Sequence, residues 1–235
     1  MVAIVDCRIP HASLSCLQEL GFDVISMPRA EHLAEPVSAH PDMLVFFCFG
    51  KLFCHVGYYQ SNKGIIDKIA DISGLELVVS GEPTSAEYPC DVIFNCVLLG
   101  DRLLCNKNTV SKLISAEATS QKLEIIHTNQ GYTKCSVCKV DDNAIITSDK
   151  SIYKACVEHN IDALLVSADG VGLRGYDCGF IGGASGGDGK NIYFCGDISL
   201  HPDGDKIVEF CKAHGKNVIS LSDEGLYDVG SILFI

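Results

Sequence analysis

The chain has 235 residues, of which 47% are hydrophobic and 20% are charged, and it carries a formal net charge of −12. No run approaches the roughly 18 consecutive apolar residues that a membrane-spanning helix requires, and no Lys/Arg cluster supplies the basic surface that binding to a DNA or RNA backbone requires. Asp6 and Arg8 lie where a signal peptide would be apolar, so we expect a cytoplasmic protein that does not enter a membrane. The acidic balance is compatible with a cationic ligand or a protein partner.

The N-terminal residues predict a strand at 2–5, a helix at about 13–20 and a second strand at 22–26. Thirteen cysteines are scattered along the whole chain, and most lie within apolar runs, as Cys48 and Cys195 do. Their odd number and their positions predict reduced, buried thiols rather than a disulfide framework.

From residue 42 onward the sequence repeats. Similar apolar segments begin at five positions with spacings of 49, 44, 44 and 49 residues. A second register agrees with the first, since Tyr88, Tyr132 and Tyr176 each precede a segment start by three residues. Such a period is typical of a fold built from repeated units. The segment starts are Asp42, Asp91, Cys135, Gly179 and Asp228.

Each unit predicts the same elements: a strand, a hairpin turn, a second strand, a helix and a third short strand. Hairpin turns are predicted at 50–51, 100–101, 141–143 and 186–189. Short polar side chains suited to a helix start follow these turns, namely Asn62, Asn106, Asp149 and Asp203. The helices are predicted to end near Gly74, Ser120, Asn160 and Gly215, and the third strands are predicted at 75–79, 123–126, 163–166 and 218–221.

The two ends of the chain complete the repeat. Residues 2–27 lack the first strand of a unit, and residues 228–235 provide one that has no helix of its own. Joining them predicts a fifth unit and a ring of five ββαβ units, which leaves no exposed sheet edge. The predicted domain is 1–235, with units at about 40–88, 89–132, 133–176, 177–223, and 224–235 plus 1–39. The alternative is an open α/β sheet.

Three segments carry a resemblance to a known superfamily: QGYTKCS (130–136), GFIGGASG (179–186) and FCGDISLHP (194–202). Together with the five units they resemble the pentein fold, and in particular an uncharacterised bacterial group within it. Penteins include guanidino-group-modifying enzymes and a ribosome anti-association factor. The resemblance therefore implies a five-unit propeller, whereas a fold alone does not determine a reaction.

The resemblance also implies a cysteine nucleophile on the final strand and a histidine in the third unit. This sequence has no cysteine after Cys211, and Ser231 or Asp228 occupies the region of the nucleophile. Tyr132 and Lys134 lie near the expected histidine. Serine is a weak nucleophile without an adjacent base, and the sequence assigns none. Whether the chain is an enzyme stays open.

A five-unit ring brings the segment starts together at its axis. Asp42, Asp91 and Asp228 would then suit a guanidinium or amine, with Asn95, Tyr132 and Ser185 as further ligand contacts. Lys134 next to Cys135 would favour a thiolate, which makes these two residues the catalytic candidates, beside Ser231. The alternative is that the aspartates cap the strand entries and that Cys135 is a packing residue.

Three other motifs are weaker. Cys135 and Cys138 form a lone CxxC within a predicted strand, and zinc would require a second pair. The glycine-rich residues 182–190 lack the spacing of a phosphate-binding loop and predict a wide hairpin turn. His201 precedes a helix and most simply starts it, with catalysis as the alternative. We therefore assign no metal site and no cofactor.

Three functions remain compatible with these features. The first is a hydrolase or transferase acting on a guanidino or amine compound, and the second is a non-catalytic ring that binds a protein or ribonucleoprotein partner. The third is a small-molecule binder without turnover. We favour a pentein-like protein with a ligand-sized central site for a small cationic compound.

Overall fold

A computed structural model describes residues 1–235 as a mixed α/β fold. Its strands are β1 (Val2–Asp6), β2 (Asp23–Met27), β3 (Val45–Cys48), β4 (Lys51–His55), β5 (Glu76–Ser80), β6 (Val97–Leu99), β7 (Arg102–Cys105), β8 (Glu124–His127), β9 (Val137–Asp141), β10 (Ala144–Thr147), β11 (Asp162–Leu165), β12 (Val171–Gly172), β13 (Ser185–Gly187), β14 (Asn191–Phe194), β15 (Asn217–Ser220), β16 (Leu226–Tyr227) and β17 (Leu233–Phe234). Its α-helices are α1 (His11–Glu19), α2 (Pro41–Leu44), α3 (Val56–Ser61), α4 (Lys63–Ser73), α5 (Lys112–Ser120), α6 (Thr133–Ser136), α7 (Lys150–Glu158) and α8 (Gly204–Ala213).

Five three-stranded sheets share one topology. In each, the first strand runs antiparallel to the central strand, and the third strand runs parallel to it. A parallel pair requires a crossover connection, and in every sheet a helix supplies it between the second and third strands. The strand orders are β3-β4-β5, β6-β7-β8, β9-β10-β11, β13-β14-β15 and β17-β1-β2.

The last of these sheets joins the two ends of the chain, as the sequence predicts. Ala3 pairs with Phe234 and Ile4 with Leu233 in an antiparallel register. The first strands of successive sheets also lie next to one another, with β6 against β9, β9 against β13, and β13 against β17. A sixth, two-stranded sheet of β12 and β16 was not predicted.

The helices follow the apolar period and pack on their own sheets. In α7, Ile152 and Cys156 are buried against Ile145 of β10. Asp149 starts this helix as predicted, since its carboxylate accepts hydrogen bonds from the backbone amides of Ser151 and Ile152. The sequence thus fixes both where this helix begins and which of its faces is buried.

The predicted cap at Asn106 was wrong. Helix α5 begins at Lys112 and is capped by Ser111, whereas the Asn106 side chain accepts a hydrogen bond from the Asn108 amide within a turn. Asn and Ser side chains cap both helices and turns, so the spacing alone placed the start of the helix at the wrong residue. Helix α3, which precedes α4, was also not predicted.

The CxxC pair does not lie within one strand, which corrects the sequence prediction. Cys135 lies in the helical turn α6, and Cys138 lies in β9. The segment start at Asp42 lies in a similar turn, α2. All thirteen cysteines are free, and most are buried.

The glycine-rich segment forms the predicted hairpin between β13 and β14. Its turn is closed by the Asp188 carboxylate, which accepts hydrogen bonds from the amides of Lys190 and Asn191. No helix of the chain is long and apolar enough to span a membrane.

Candidate functional site

Three of the predicted site residues meet in one hydrogen-bonded network. The carboxylate of Asp42 accepts a hydrogen bond from Ser231 Oγ at 2.7 Å and another from Cys135 Sγ at 3.4 Å. Asp42, Cys135 and Ser231 are all buried, although they lie far apart in the chain. The structure therefore brings together the first, third and last segments of the repeat.

Asn95 connects this network to the backbone of the third unit. Its Oδ1 accepts hydrogen bonds from the amides of Lys134, at 2.6 Å, and Cys135, at 3.2 Å. Its Nδ2 lies 3.1 Å from Cys135 Sγ and 3.2 Å from the Asp42 carbonyl oxygen, so it donates to one or both. Asn95 is buried. It belongs to the second unit and contacts Asp42 of the first unit and Lys134 and Cys135 of the third, so it holds these three segments in place.

Ser231 has a basic neighbour that the sequence did not assign. Lys134 Nζ donates a hydrogen bond to Ser231 Oγ at 2.7 Å, and Asp42 accepts from the same hydroxyl. Ser231 has a φ of 68°, a left-handed backbone conformation that is uncommon for serine. Lys134, Ser231 and Asp42 thus form a chain of charged and polar groups, with the hydroxyl between the two charges.

Cys135 lies in surroundings that oppose a thiolate. Burial, followed by the charges of Asp42 and Asp228, raises the pKa of the Cys135 thiol well above its ordinary value. The thiol is therefore protonated at neutral pH and donates to Asp42. A role for Cys135 as nucleophile stays a prediction that this environment disfavours.

A cavity of about 460 Å³, named the central cavity below, contacts all five three-stranded sheets. It is lined by the first strand of every sheet, β3, β6, β9, β13 and β17. Its walls are mostly apolar, with Phe46, Phe94 and Phe234 among the aromatic contacts. The volume and the lining are those of a small-molecule site.

The polar groups of this central cavity fall into two sets. Asp42, Lys134 and Ser185 line it where the network lies. The charged residues of the β9–β10 turn line it as well, together with Lys139 and Lys216. Lys139 Nζ is engaged by Asp142 at 2.7 Å. Asp42 and Lys134 are therefore the charged groups of the cavity that connect directly to the buried network.

Asp91 and Tyr132 form a separate pair that does not line the central cavity. The Tyr132 hydroxyl donates a hydrogen bond to Asp91 Oδ2, and the ring of Tyr132 stacks between those of Tyr88 and Phe180. Asp91 Oδ1 is buried and has no hydrogen-bond partner. The three aspartates of the segment starts therefore do not form one common site.

Asp228 acts as a backbone cap, which was the structural alternative in the sequence analysis. Its carboxylate accepts hydrogen bonds from the amides of Phe180 and Gly230, both at 2.9 Å. His201 lines neither the central cavity nor the network. Its Nδ1 accepts a hydrogen bond from the Asp203 amide just before α8, and burial lowers the pKa of its imidazole.

Sequence reasoning missed the aromatic wall of the central cavity. The hairpin turns identify the first strand of each unit, and Phe47, Leu98 and Phe234 line the cavity and each pair with the second residue of the central strand in their sheet. This repeated position is a usable signal. It becomes interpretable only when all five first strands are known to surround the same space.

The buried carboxylate of Asp91 leads to a pH-dependent prediction. Burial raises the pKa of Asp91 above its ordinary value, and the Tyr132 hydrogen bond opposes this only in part. Protonation of Asp91 therefore stabilises the fold. This contribution to the free energy of unfolding is fully present below the ordinary carboxyl pKa and is lost as the pH rises through the raised pKa. We expect Asp91→Asn to increase the free energy of unfolding at pH 7 by about 1 kcal/mol, because it removes a buried charge.

Urea unfolding at pH 7 and at about pH 4 measures this effect, which is expected to disappear at the lower pH. The matched control is Asp71→Asn, which changes an exposed aspartate of α4 that has no side-chain partner. A loss of stability in Asp91→Asn at pH 7 would contradict the prediction.

The five sheets and their shared topology define the class of fold: the chain has the pentein fold, as the solved structures compared below show. It belongs to the family described as "Family of unknown function (DUF6873)", whose model matches residues 4–233. This agrees with the expectation of an uncharacterised group. No curated protein matches the sequence.

Solved structures with a similar fold include guanidino-group-modifying enzymes. A DDAH from Pseudomonas aeruginosa, a cysteine-to-serine mutant in complex with citrulline, has a TM-score of 0.61 at 9% identity, and the match covers 94% of this chain and 91% of that one. Agmatine deiminase from C. jejuni has a TM-score of 0.56 at 8% identity, covering 94% and 87% of the two chains. The inosamine-phosphate amidinotransferase of Streptomyces griseus has a TM-score of 0.55 at 11% identity, covering 91% and 73%. At such low identity these likenesses establish the fold alone.

Proposed function

We propose that the protein binds a small guanidino or amine compound in the central cavity, where the Asp42 carboxylate accepts hydrogen bonds from the cationic group. One observation carries this proposal: a buried carboxylate lines an otherwise mostly apolar, ligand-sized cavity. Each oxygen of Asp42 receives one hydrogen bond from the protein, and a carboxylate oxygen can accept two. Charge-assisted hydrogen bonds to a planar cation are strong in such surroundings.

Lys134 indicates that the ligand also carries a hydrogen-bond acceptor. Its ammonium group lines the same cavity and donates one hydrogen bond to a protein side chain, that to Ser231. An ammonium group has three donors, so two are available to an acceptor on the ligand. A compound that carries a carboxylate or carbonyl group together with its cation therefore fits the pair of Asp42 and Lys134 better than a simple cation.

The fold likeness supports this choice of ligand. DDAH acts on dimethylarginine by its name and was solved with citrulline, and agmatine is a guanidino compound. We also propose that the five sheets form a closed five-unit propeller within a single domain over 1–235. The support for this arrangement is that one strand from each sheet lines the same cavity.

Thermal unfolding with a panel of arginine, methylated arginines, agmatine, citrulline and polyamines tests the proposal. A compound present at about a hundred times its dissociation constant stabilises the protein by about 2.7 kcal/mol, which corresponds to a rise in Tm of several degrees, roughly 5 °C. We expect Asp42→Asn to abolish this rise. The charge-matched control Asp71→Asn, on the outer helix α4, should retain it.

If no compound in the panel shifts the wild-type Tm, the proposed ligand class is wrong. If a shift survives in Asp42→Asn, the compound binds elsewhere. Absence of any shift would leave a protein or ribonucleoprotein partner as the remaining candidate.

A divergent guanidino-modifying enzyme is the second candidate, favoured by the hydrogen bond that Ser231 donates to Asp42. The Asp42 carboxylate would be the adjacent base that a serine nucleophile requires, while the Lys134 ammonium group donates to the same oxygen. Ser231 is fully buried and does not line the cavity, so binding without turnover agrees better with the geometry. Product analysis of each bound compound separates the two functions: a product formed by the wild type and lost in Ser231→Ala would establish the enzyme.

A further inference from the structure

A second cavity gathers most of the arginines of the chain. The sequence contains four arginines, and three of them, Arg8, Arg29 and Arg174, line a single cavity of about 160 Å³. No residue of this arginine cavity lines the central cavity. The lining also contains two aspartates, Asp6 and Asp228, so it is slightly positive in a chain whose net charge is −12.

The carboxylates of the arginine cavity are already occupied by protein donors. Both oxygens of Asp6 accept hydrogen bonds from the Arg8 guanidinium, at 2.9 and 2.7 Å. Arg8 also donates to the carbonyl oxygens of Glu35 and Pro36. The carboxylate of Asp228 accepts two backbone amides, as described above. Arg8, Asp6 and Asp228 therefore form a hydrogen-bonded floor of the cavity, in which both carboxylates already have donors.

Other donors at the cavity remain free. The Arg174 side chain is exposed and makes no hydrogen bond or ion pair, while Arg29 has only a contact of 3.7 Å with the half-exposed Glu35. His40 also lines the cavity; its side chain is 3% exposed, and its Nδ1 is buried without a hydrogen-bond partner, 3.8 Å from Asp228 Oδ1, while its Nε2 lies 3.9 Å from Asp6 Oδ2. A buried polar atom without a partner is uncommon and often indicates a group that the structure lacks.

We propose that the arginine cavity binds a small oxyanion, a carboxylate or phosphoryl group, which is held by Arg29 and Arg174 next to His40. The guanidinium fork matches the paired oxygens of both groups. The volume suits a single oxyanion group rather than a whole metabolite. Since no lining residue is shared, this site is independent of the proposed ligand of the central cavity.

Isothermal titration with inorganic phosphate, and separately with acetate, tests the site at constant ionic strength set with chloride. We expect one of the two anions to bind to the wild type and the double variant Arg29→Ala/Arg174→Ala to lose at least about tenfold in affinity, which corresponds to about 1.4 kcal/mol. Both side chains are exposed, so the variant should fold, and its unfolding curve verifies this. Binding of phosphate alone or of acetate alone would show which oxyanion the cavity prefers.

The control is Lys154→Ala/Lys206→Ala, which removes the same charge from the exposed faces of α7 and α8. We expect this variant to bind like the wild type. Equal losses in both double variants would show a general effect of charge and would overturn the proposal. Failure of both anions to bind the wild type would overturn it as well.

Discussion

Gly230→Ala is expected to destabilise the protein by about 4 kcal/mol or more, or to prevent folding. Gly230 has a φ of 67°, which disfavours any residue with a Cβ. A Cβ built on it would also lie 2.1 Å from His40 Cβ and 2.4 Å from His40 Cα. Since one of these atoms belongs to the backbone, no side-chain rotation relieves the clash. The segment that carries His40 and Asp42 would have to move away from Gly230.

Gly215→Ala is the matched control for this substitution. Gly215 has a similar φ of 70°, and nothing lies within 4 Å of a Cβ built on it. It should therefore report the backbone cost alone, about 1 kcal/mol. Urea unfolding of both variants measures the difference. Equal stabilities would show that the His40 segment adapts to a methyl group, contrary to the prediction.

Asn95→Ala is expected to lower the free energy of unfolding by about 3 kcal/mol. The substitution removes the acceptor shared by the amides of Lys134 and Cys135, and leaves both donors buried. It also removes the donor to Cys135 Sγ, so the first three units lose a common contact.

The change should be visible in denaturant unfolding and in thiol accessibility. Cys135 should react faster with an uncharged alkylating reagent in Asn95→Ala than in the wild type, because its helical turn is released. Asn217→Ala, which alters an exposed asparagine of β15, should change stability by no more than about 0.5 kcal/mol. A similarly small effect of Asn95→Ala would mean that other groups or water satisfy the two amides.

The order of strands and helices in the five units could be predicted because each unit repeats the same local signals. Gly, Asn and Asp residues mark the turns, and apolar residues at helical spacing mark α4 and α7, so the elements follow from short stretches of sequence. The sheet formed by the two chain ends could be predicted for a different reason. The N-terminal unit lacked a strand, and the C-terminal residues supplied one.

The site was less accessible to such reasoning. The spacing brought Asp42 and Cys135 together, as the structure does, but it also placed Asp91 with them, whereas Asp91 pairs with Tyr132 outside the central cavity. Ser231 was named through the resemblance alone. A repeat specifies where a Cα lies and not where its side chain points. The contact between Lys134 and Ser231 spans 97 residues and depends on a lysine long enough to reach the last segment, which no local pattern encodes.

Strand β1 leaves the ribosome long before β17, yet it pairs with that strand in the finished sheet. Until β17 has been synthesised, one edge of β1 lacks its partner and presents free backbone donors and acceptors. The unit that is begun first is therefore completed last, after the other four sheets have had time to form. Contacts across almost the whole chain are slow to establish, so closure of this sheet is expected to limit the rate of folding. A nascent chain that ends before β17 would be the species most exposed to aggregation.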